Sequence, residues 1–193
     1  QRQAYDGNHF QHAALCTHGY ADTPDWVRQL LIDSDRFLVH RVTPQATVLP
    51  PTELPYWNDR SELFEGVAVV AGYPWFADWG RDTFIALPGL TLATGRYVVA
   101  RRILETWALH VRDGLLPNLL PENGNQAEYN SADAALWYIE AWRAYFQHTR
   151  DLSALRHALP VLKSIIDGYT QGTHFGIGLD PADGRRPVAA DCK

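Results

Sequence analysis

The sequence has no methionine and only two cysteines among its 193 residues. Cys16 and Cys192 lie near opposite ends of the chain, so they form no disulfide framework and favour a reducing compartment. Targeting signals are also missing, because the first residues are polar and no apolar run approaches the length of a membrane span. These absences predict a cytoplasmic protein with no membrane partner. A chain that opens at Gln1 and lacks methionine altogether is further expected to be a piece of a longer protein.

Basic charge is scarce as well, since 17 Lys and Arg stand against 22 Asp and Glu, for a net charge of −5. Binding to nucleic acid or to an anionic membrane requires a basic surface, so we predict neither as a partner. The histidines of the N-terminal region, His9, His12 and His18, fit no common ligand spacing, and no Asp, Glu or Cys completes a set. We therefore predict no metal site.

What the sequence does contain is a series of amphipathic segments, typical of stacked antiparallel helices in an all-α protein. Prolines and glycines mark loops between them, notably over residues 43–60, and a short strand is expected over Val67–Ala71. The predicted helices run from Thr23 to near Val39, from Asp82 to Thr94 with a kink at Pro88, from Tyr97 to Arg112, from Ser131 to His148, and from Asp151 to Tyr169 with a break or late start at Pro160.

The most informative stretch is Gly72–Thr83, which combines the aromatic side chains of Trp75, Phe76 and Trp79 with two carboxylates and an arginine. Buried charges need partners, and exposed aromatic side chains leave apolar area in water. A pocket wall satisfies both groups, because sugar rings lie on aromatic faces while their hydroxyls bind charged side chains. The stretch therefore predicts a sugar-binding wall.

Several segments together resemble the N-terminal part of the glucosidase (amylo-alpha-1,6-glucosidase) domain of glycogen debranching enzymes. In order, they are Ala71–Phe76, Trp79–Thr83, Leu87–Leu90, Gly114–Asn118 and Tyr129–Trp137. They fall within roughly residues 66–172, a little over half of the chain. The resemblance implies a partial (α/α)6 barrel of helical hairpins over residues 66–193, truncated, preceded by a loop-rich linker and helical segment over residues 1–65.

The resemblance also implies roles for individual residues. Arg81 and Asp82 would clamp hydroxyls of the non-reducing glucose, with Trp75 and Trp79 as stacking surfaces beside them. The same end of the barrel would be lined by Asn118, Asn130 and Asp133. The proton donor of the family lies in a Thr-Trp-Met-Asp motif, which a chain without methionine does not contain, and the base lies nearer the end of the full protein. We therefore expect no catalytic residue before Lys193.

From the residues alone, two of these assignments have structural alternatives. Asp82 stands near a helix start and would be explained equally by a role as helix cap. Asp133 follows Asn130 at the spacing of a capping box. Glu122 and Glu128, in the long loop from Leu115 to Tyr129, are weaker candidates for a sugar contact than for solvated charge.

The function implied is part of a glycogen debranching enzyme that removes α-1,6-linked glucose stubs at branch points by inverting hydrolysis, with no metal or organic cofactor. Its partners would be glycogen, limit dextrin or branched maltodextrin, and the rest of the same polypeptide, which completes the barrel. This chain by itself is expected to be inactive. One alternative is another (α/α)6 glucosidase, similar to glucoamylase or trehalase. An alternative of a different class is a non-catalytic carbohydrate-binding or helical interaction module.

Overall fold

The computed structural model describes residues 22–41, 66–72, 77–120, 127–174 and 176–179. Helix α1 spans Asp25–Ser34 and passes through a 3₁₀ turn, Asp35–Phe37, into strand β1, Leu38–Arg41; strand β2 spans Gly66–Val69. The remaining helices are α2 (Gly80–Leu87, continued by a π-helical turn over Pro88–Leu92), α3 (Tyr97–Ala108), α4 (Ala134–Thr149) and α5 (Leu152–Gln171). The described part of the chain is thus mostly helical, as predicted.

A two-stranded antiparallel sheet replaces the end of the first predicted helix. β1 pairs with β2 in the register Leu38–Val69, Val39–Ala68, His40–Val67 and Arg41–Gly66. The prediction that the helix would continue to near Val39 is therefore wrong. Leu38 and Val39 are both buried, because pairing with β2 gives these apolar residues a better environment than a solvent-facing helix turn.

The four helices that follow form two antiparallel pairs, α2 with α3 and α4 with α5. The first helices of the two pairs run side by side in the same direction. Their first residues, Gly80 and Ala134, lie against each other, and one turn further along each helix the rings of Phe84 and Tyr138 are 5.2 Å apart. Phe84 also meets Trp107, near the end of α3, at 5.1 Å. The hydroxyl of Tyr169, near the end of α5, donates to the carbonyl of Ala132 just before α4 at 2.5 Å.

The core lies between these helices and is rich in aromatic residues in edge-to-face contact. Tyr138 meets Trp142 at 6.4 Å, and Trp142 meets Tyr145 at 5.6 Å, both with nearly perpendicular rings. The buried Tyr138 hydroxyl donates to the Leu104 carbonyl of α3 at 3.0 Å. Such pairs add specific geometry to the area they bury, so the core fixes how α2, α3 and α4 meet.

Helix α5 corrects two expectations. The predicted break at Pro160 is wrong, because the helix continues through it. Pro160 and Arg156, whose carbonyl loses its helical donor, both lie on the exposed side, where water replaces the missing bond.

The apolar spacing of this helix predicts a buried stripe of Leu152, Leu155, Leu159, Leu162, Ile166 and Tyr169. Only Leu162 and Tyr169 of these six are buried, while Leu159 and Ile166 are 51% and 54% exposed. The residues that pack inward are Ala154, Ala158, Leu162, Ile165 and Tyr169. The small side chains of Ala154 and Ala158 allow α5 to approach its neighbours closely. The buried face of the helix therefore includes small residues, while larger apolar residues such as Leu159 lie on the exposed side.

Two smaller differences concern helix ends. The helix predicted to reach Arg112 ends at Ala108, and the one predicted from Ser131 begins at Ala134. Pro88 does interrupt α2, as expected, by widening it into the π turn. None of the described helices is both long and apolar enough to cross a membrane.

Candidate functional site

The site is assembled where three short extended segments meet before α2 and α4. Trp79 forms an antiparallel bridge with Leu119, and Leu119 forms another with Glu128. The backbone N–H of Gly80 donates to the Asn118 carbonyl at 2.9 Å, and the N–H of Asn118 donates to the Glu128 carbonyl at 2.8 Å. These bonds bring the segments around Trp79, Asn118 and Glu128 together in one small patch.

Gly80 is the residue that allows α2 to begin against its neighbours. A Cβ at this position would lie 3.0 Å from the Pro117 carbonyl oxygen and 3.3 Å from both Trp107 and the Ala134 side chain. Because Ala134 is the first residue of α4, the missing side chain lets the first turns of α2 and α4 approach each other. The residues on either side of this contact are Arg81 and Asp133.

Arg81 and Asp133 form a bidentate ion pair across the two helix starts. The Nε atom of Arg81 lies 2.7 Å from Oδ2 of Asp133, and Nη2 donates to Oδ1 at 2.9 Å. The hydroxyl of Ser131 donates to the same Oδ1 at 3.0 Å. Planar, two-point pairing of this kind holds an arginine in one orientation.

The pair sets the charge state of both groups. Burial alone would raise the pKa of Asp133, but the hydrogen bonds from Arg81 and Ser131 and the arginine's charge outweigh it, so the pKa lies below its ordinary value. The hydrogen bond and charge of Asp133 raise the pKa of Arg81 in turn. Asp133 is therefore an ionised acceptor at neutral pH and is unsuited to donate a proton.

This pKa shift predicts a pH-dependent contribution to stability. A carboxylate whose pKa is lower in the folded state stabilises the fold above its unfolded pKa, near about 3.9, and this contribution disappears as the pH falls through the folded value. The pair is partly exposed, so we expect Asp133→Asn to lower the free energy of unfolding by only roughly 0.2–1 kcal/mol at pH 7. Urea denaturation of both proteins at pH 7 and in steps below pH 4 measures this, and a difference that persisted at the lowest pH would contradict it.

Neither carboxylate has the capping role that its position suggested. No side chain caps the start of α2, where Asp82 is exposed in the first turn. Asp133 is the residue before α4, yet its side chain accepts no capping bond. That role falls to Ser131, whose Oγ accepts from the Ala134 N–H at 3.3 Å. The Asp133 carboxylate is thus committed to Arg81.

The other predicted site residues lie around this ion pair with less direct contact. Asp82 neighbours Arg81, and its charge contributes to the raised pKa of the arginine. Trp79 and Asn118 are half-buried in the bridged patch, and Asn130 is exposed just before Ser131. Glu128, which also belongs to the patch, is exposed. Trp75 and Glu122 lie outside the described residues.

Two apolar residues next to the pair were not singled out from the sequence. Ile85 and Trp137 each stand one helical turn after a member of the pair, and they are 50% and 38% exposed. Ala134 and Tyr138, which flank Trp137 on α4, are by contrast fully buried. The i, i+4 spacing from Arg81 and Asp133 would have indicated both, because residues at that spacing share a helix face.

The described residues contain no group of three or more His, Cys, Asp or Glu side chains suited to a metal ion. What the arrangement offers instead is an oriented, half-exposed guanidinium, an exposed carboxylate at Asp82 and exposed apolar side chains one helical turn further along. Charged hydrogen-bonding groups beside apolar surface could bind a neutral polyhydroxylated ligand.

Comparison with known proteins agrees with this chemistry. A family model described as Amylo-alpha-1,6-glucosidase matches residues 32–186, a range that contains every site residue above. The glycogen debranching enzyme of Saccharomyces cerevisiae is 39% identical over 83 residues, which covers 40% of this chain and 5% of the yeast protein. The chain thus spans a small part of that relative's length. Since the family model extends over well more than half of the sequence, the chain belongs to the amylo-alpha-1,6-glucosidase family.

Proposed function

We propose that the chain forms one wall of a pocket that binds the non-reducing glucose of a branched α-glucan. The observation that supports this best is the bidentate pair of Arg81 and Asp133, which leaves the arginine 57% exposed beside Asp82. A charged donor next to a charged acceptor suits vicinal hydroxyls, each of which donates one hydrogen bond and accepts others. The exposed faces of Trp137 and Ile85 suit the apolar C–H faces of a sugar ring.

In the complete protein this pocket would serve the hydrolysis of α-1,6-linked glucose stubs in glycogen, limit dextrin or branched maltodextrin. The inverting reaction needs an acid and a base about 6.5–9.5 Å apart on opposite sides of the scissile bond. Asp133 is held ionised by Arg81 and Asp82 is assigned to the sugar, so the proposal gives the two catalytic roles to carboxylates elsewhere in the polypeptide. The rest of the polypeptide, which would supply these carboxylates, would also complete an (α/α)6 barrel that begins with the two helical pairs. The complete protein would be cytoplasmic.

Two other functions make different predictions. An (α/α)6 glucosidase similar to glucoamylase or trehalase would require a parent protein that releases glucose from linear maltodextrin or trehalose instead of limit dextrin. A carbohydrate-binding or helical interaction module would require a parent protein that releases glucose from none of them. Measuring glucose released by the parent protein from these substrates separates all three, with this chain assayed alongside to test its expected inactivity.

The proposal predicts a binding loss when the Asp82 carboxylate is neutralised. Charge-assisted hydrogen bonds are worth roughly 1.5–3 kcal/mol each, so Asp82→Asn should weaken glucan binding at least about tenfold. Titration of the chain with maltose, followed by tryptophan fluorescence, measures the affinity.

Asp167→Asn is the matched control, because Asp167 is also an exposed helical aspartate but lies near the end of α5. Its affinity should equal that of the unchanged protein, and both variants should keep its melting temperature. Equal affinities for Asp82→Asn and Asp167→Asn would rule out the assigned role of Asp82.

A further inference from the structure

The Arg81–Asp133 pair uses the side of the guanidinium that carries Nε. An arginine has five N–H donors, and the side-on fork of Nε and Nη2 takes two of them here. The three that remain include the end-on fork of Nη1 and Nη2, which points away from the carboxylate. Because the guanidinium is planar, fixing one fork also fixes the direction of the other.

Asp133 has little capacity left for a ligand of its own. Its Oδ1 already accepts from Arg81 and from Ser131, and its Oδ2 accepts from Arg81. The side chain is 33% exposed, against 57% for the arginine. Arg81 is therefore the more exposed member of the pair, and it keeps N–H donors that Asp133 does not use.

We propose that Asp133 is a positioning residue that binds no sugar itself and instead holds Arg81 so that its end-on fork receives two neighbouring hydroxyls. This inference rests on the proposed function and names the donor that recognises the glucose. It revises the role that the family resemblance implied for Asp133, which was direct contact with the substrate.

The parts that hold the pair are themselves fixed. Gly80 seats the first turn of α2 against Ala134, so the backbones that carry Arg81 and Asp133 meet at a set separation. The Ser131 hydroxyl then orients the carboxylate. A long, flexible arginine side chain loses rotamer freedom when it binds a ligand, and pre-ordering it before binding increases affinity. The ordering is done here by Asp133.

A purely structural ion pair would behave differently. A pair this exposed stabilises a fold only slightly, so a large effect of Asp133 on sugar binding cannot come from loss of folding. If Asp133 contacted the sugar directly, its contribution to binding would remain when Arg81 is absent. If it only positions Arg81, that contribution disappears together with Arg81. The two roles are therefore separable by a double-mutant cycle.

The cycle combines Asp133→Asn with Arg81→Met and measures maltose affinity for the unchanged chain, both single variants and the double variant. We expect each single change to weaken binding about tenfold, and the double variant to bind no more weakly than Arg81→Met alone. Glu140→Gln is the control, because it disrupts the exposed Glu140–Arg143 pair of the same helix and should leave affinity unchanged. The inference would be overturned if the double variant lost affinity by the product of the two single losses, or if Asp133→Asn bound maltose with unchanged affinity.

A second readout needs no sugar. In ¹H–¹⁵N spectra of the arginine side chains, the Arg81 Nε–H should exchange slowly with water in the unchanged chain and in Asp82→Asn, and rapidly in Asp133→Asn. If maltose fails to bind the unchanged chain, the proposed function fails while this measurement still decides the positioning role. Equally slow exchange in Asp133→Asn would show that another group orders Arg81 and would refute that role.

Discussion

Replacing Gly114 with alanine is expected to destabilise the protein by roughly 2–5 kcal/mol. Gly114 has a φ of +76°, and its Cβ would lie 2.8 Å from Gly168 Cα and 3.2 Å from the Ser164 carbonyl oxygen of α5. The left-handed conformation costs an L-residue about 1–2 kcal/mol, and overpacking adds about 1–3 kcal/mol. Both neighbours are backbone atoms of a helix, which cannot move aside as a flexible side chain would.

Two further glycines serve as comparison and control for this prediction. Gly168→Ala meets the same contact from the other side, with Gly114 Cα at 2.8 Å, so it should show the overpacking cost of about 1–3 kcal/mol without the conformational one. Gly89→Ala, where no atom lies within 4 Å of the new Cβ, should be neutral or stabilise by about 0.4–1 kcal/mol. Urea denaturation measures all three, and equal effects at Gly89 and Gly114 would contradict the explanation.

The second large effect is expected at Arg96, which is 3% exposed and forms an ion pair with Asp35. Its Nη1 also donates to the Ser34 hydroxyl at 2.8 Å and to the Leu90 carbonyl at 3.2 Å. The guanidinium thus joins the end of α1 to the π turn after α2. Removing one partner of a buried pair leaves an uncompensated charge and costs about 3–5 kcal/mol, which is the loss we expect in Arg96→Met.

The matched control is Arg143→Met, because Arg143 pairs with Glu140 on the exposed side of α4. It should unfold at the same urea concentration as the unchanged protein. Adding Asp35→Asn to Arg96→Met should recover part of the loss, since the buried carboxylate is then neutral, while the Leu90 carbonyl still lacks its arginine. A double variant less stable than Arg96→Met would mean that the charge of Asp35 is not the source of the loss.

The sequence was most informative about local structure. The periodicity of α3 and α4 and the interruption at Pro88 follow from short-range spacing, which is visible in sequence, whereas the π form of the turn was not predicted. The continuity of α5 through Pro160 was missed, because whether a proline interrupts a helix depends on which side faces water. The strand at Leu38 was missed because its partner, β2, lies nearly thirty residues further along the chain.

The candidate site shows the same division. Aromatic and charged residues in Gly72–Thr83 indicated a sugar-binding wall, and the family resemblance brought Asp133 to the same end of the fold. The direct pairing of Arg81 with Asp133 joins residues 52 positions apart, and nothing in local spacing indicates it. Serine is a common helix-capping residue, so the bond from the Ala134 N–H to Ser131 follows from local sequence. The bond from Ser131 to Asp133 is also local, but it bears on the site only because Arg81 of α2 pairs with that carboxylate.

The π turn over Pro88–Leu92 has a consequence for how the chain tolerates insertions and deletions. The Ala93 N–H reaches back five residues to the Pro88 carbonyl at 2.9 Å, so the turn already holds one residue more than an α-helix would. Gain or loss of a residue earlier in α2 would rotate everything before it by about 100° relative to the core and turn Arg81 away from Asp133. In the π turn, loss of one residue would only convert the wide turn into an ordinary α-helical one. Natural length variation in this helix is therefore expected to fall between Pro88 and Leu92, downstream of the guanidinium and upstream of α3.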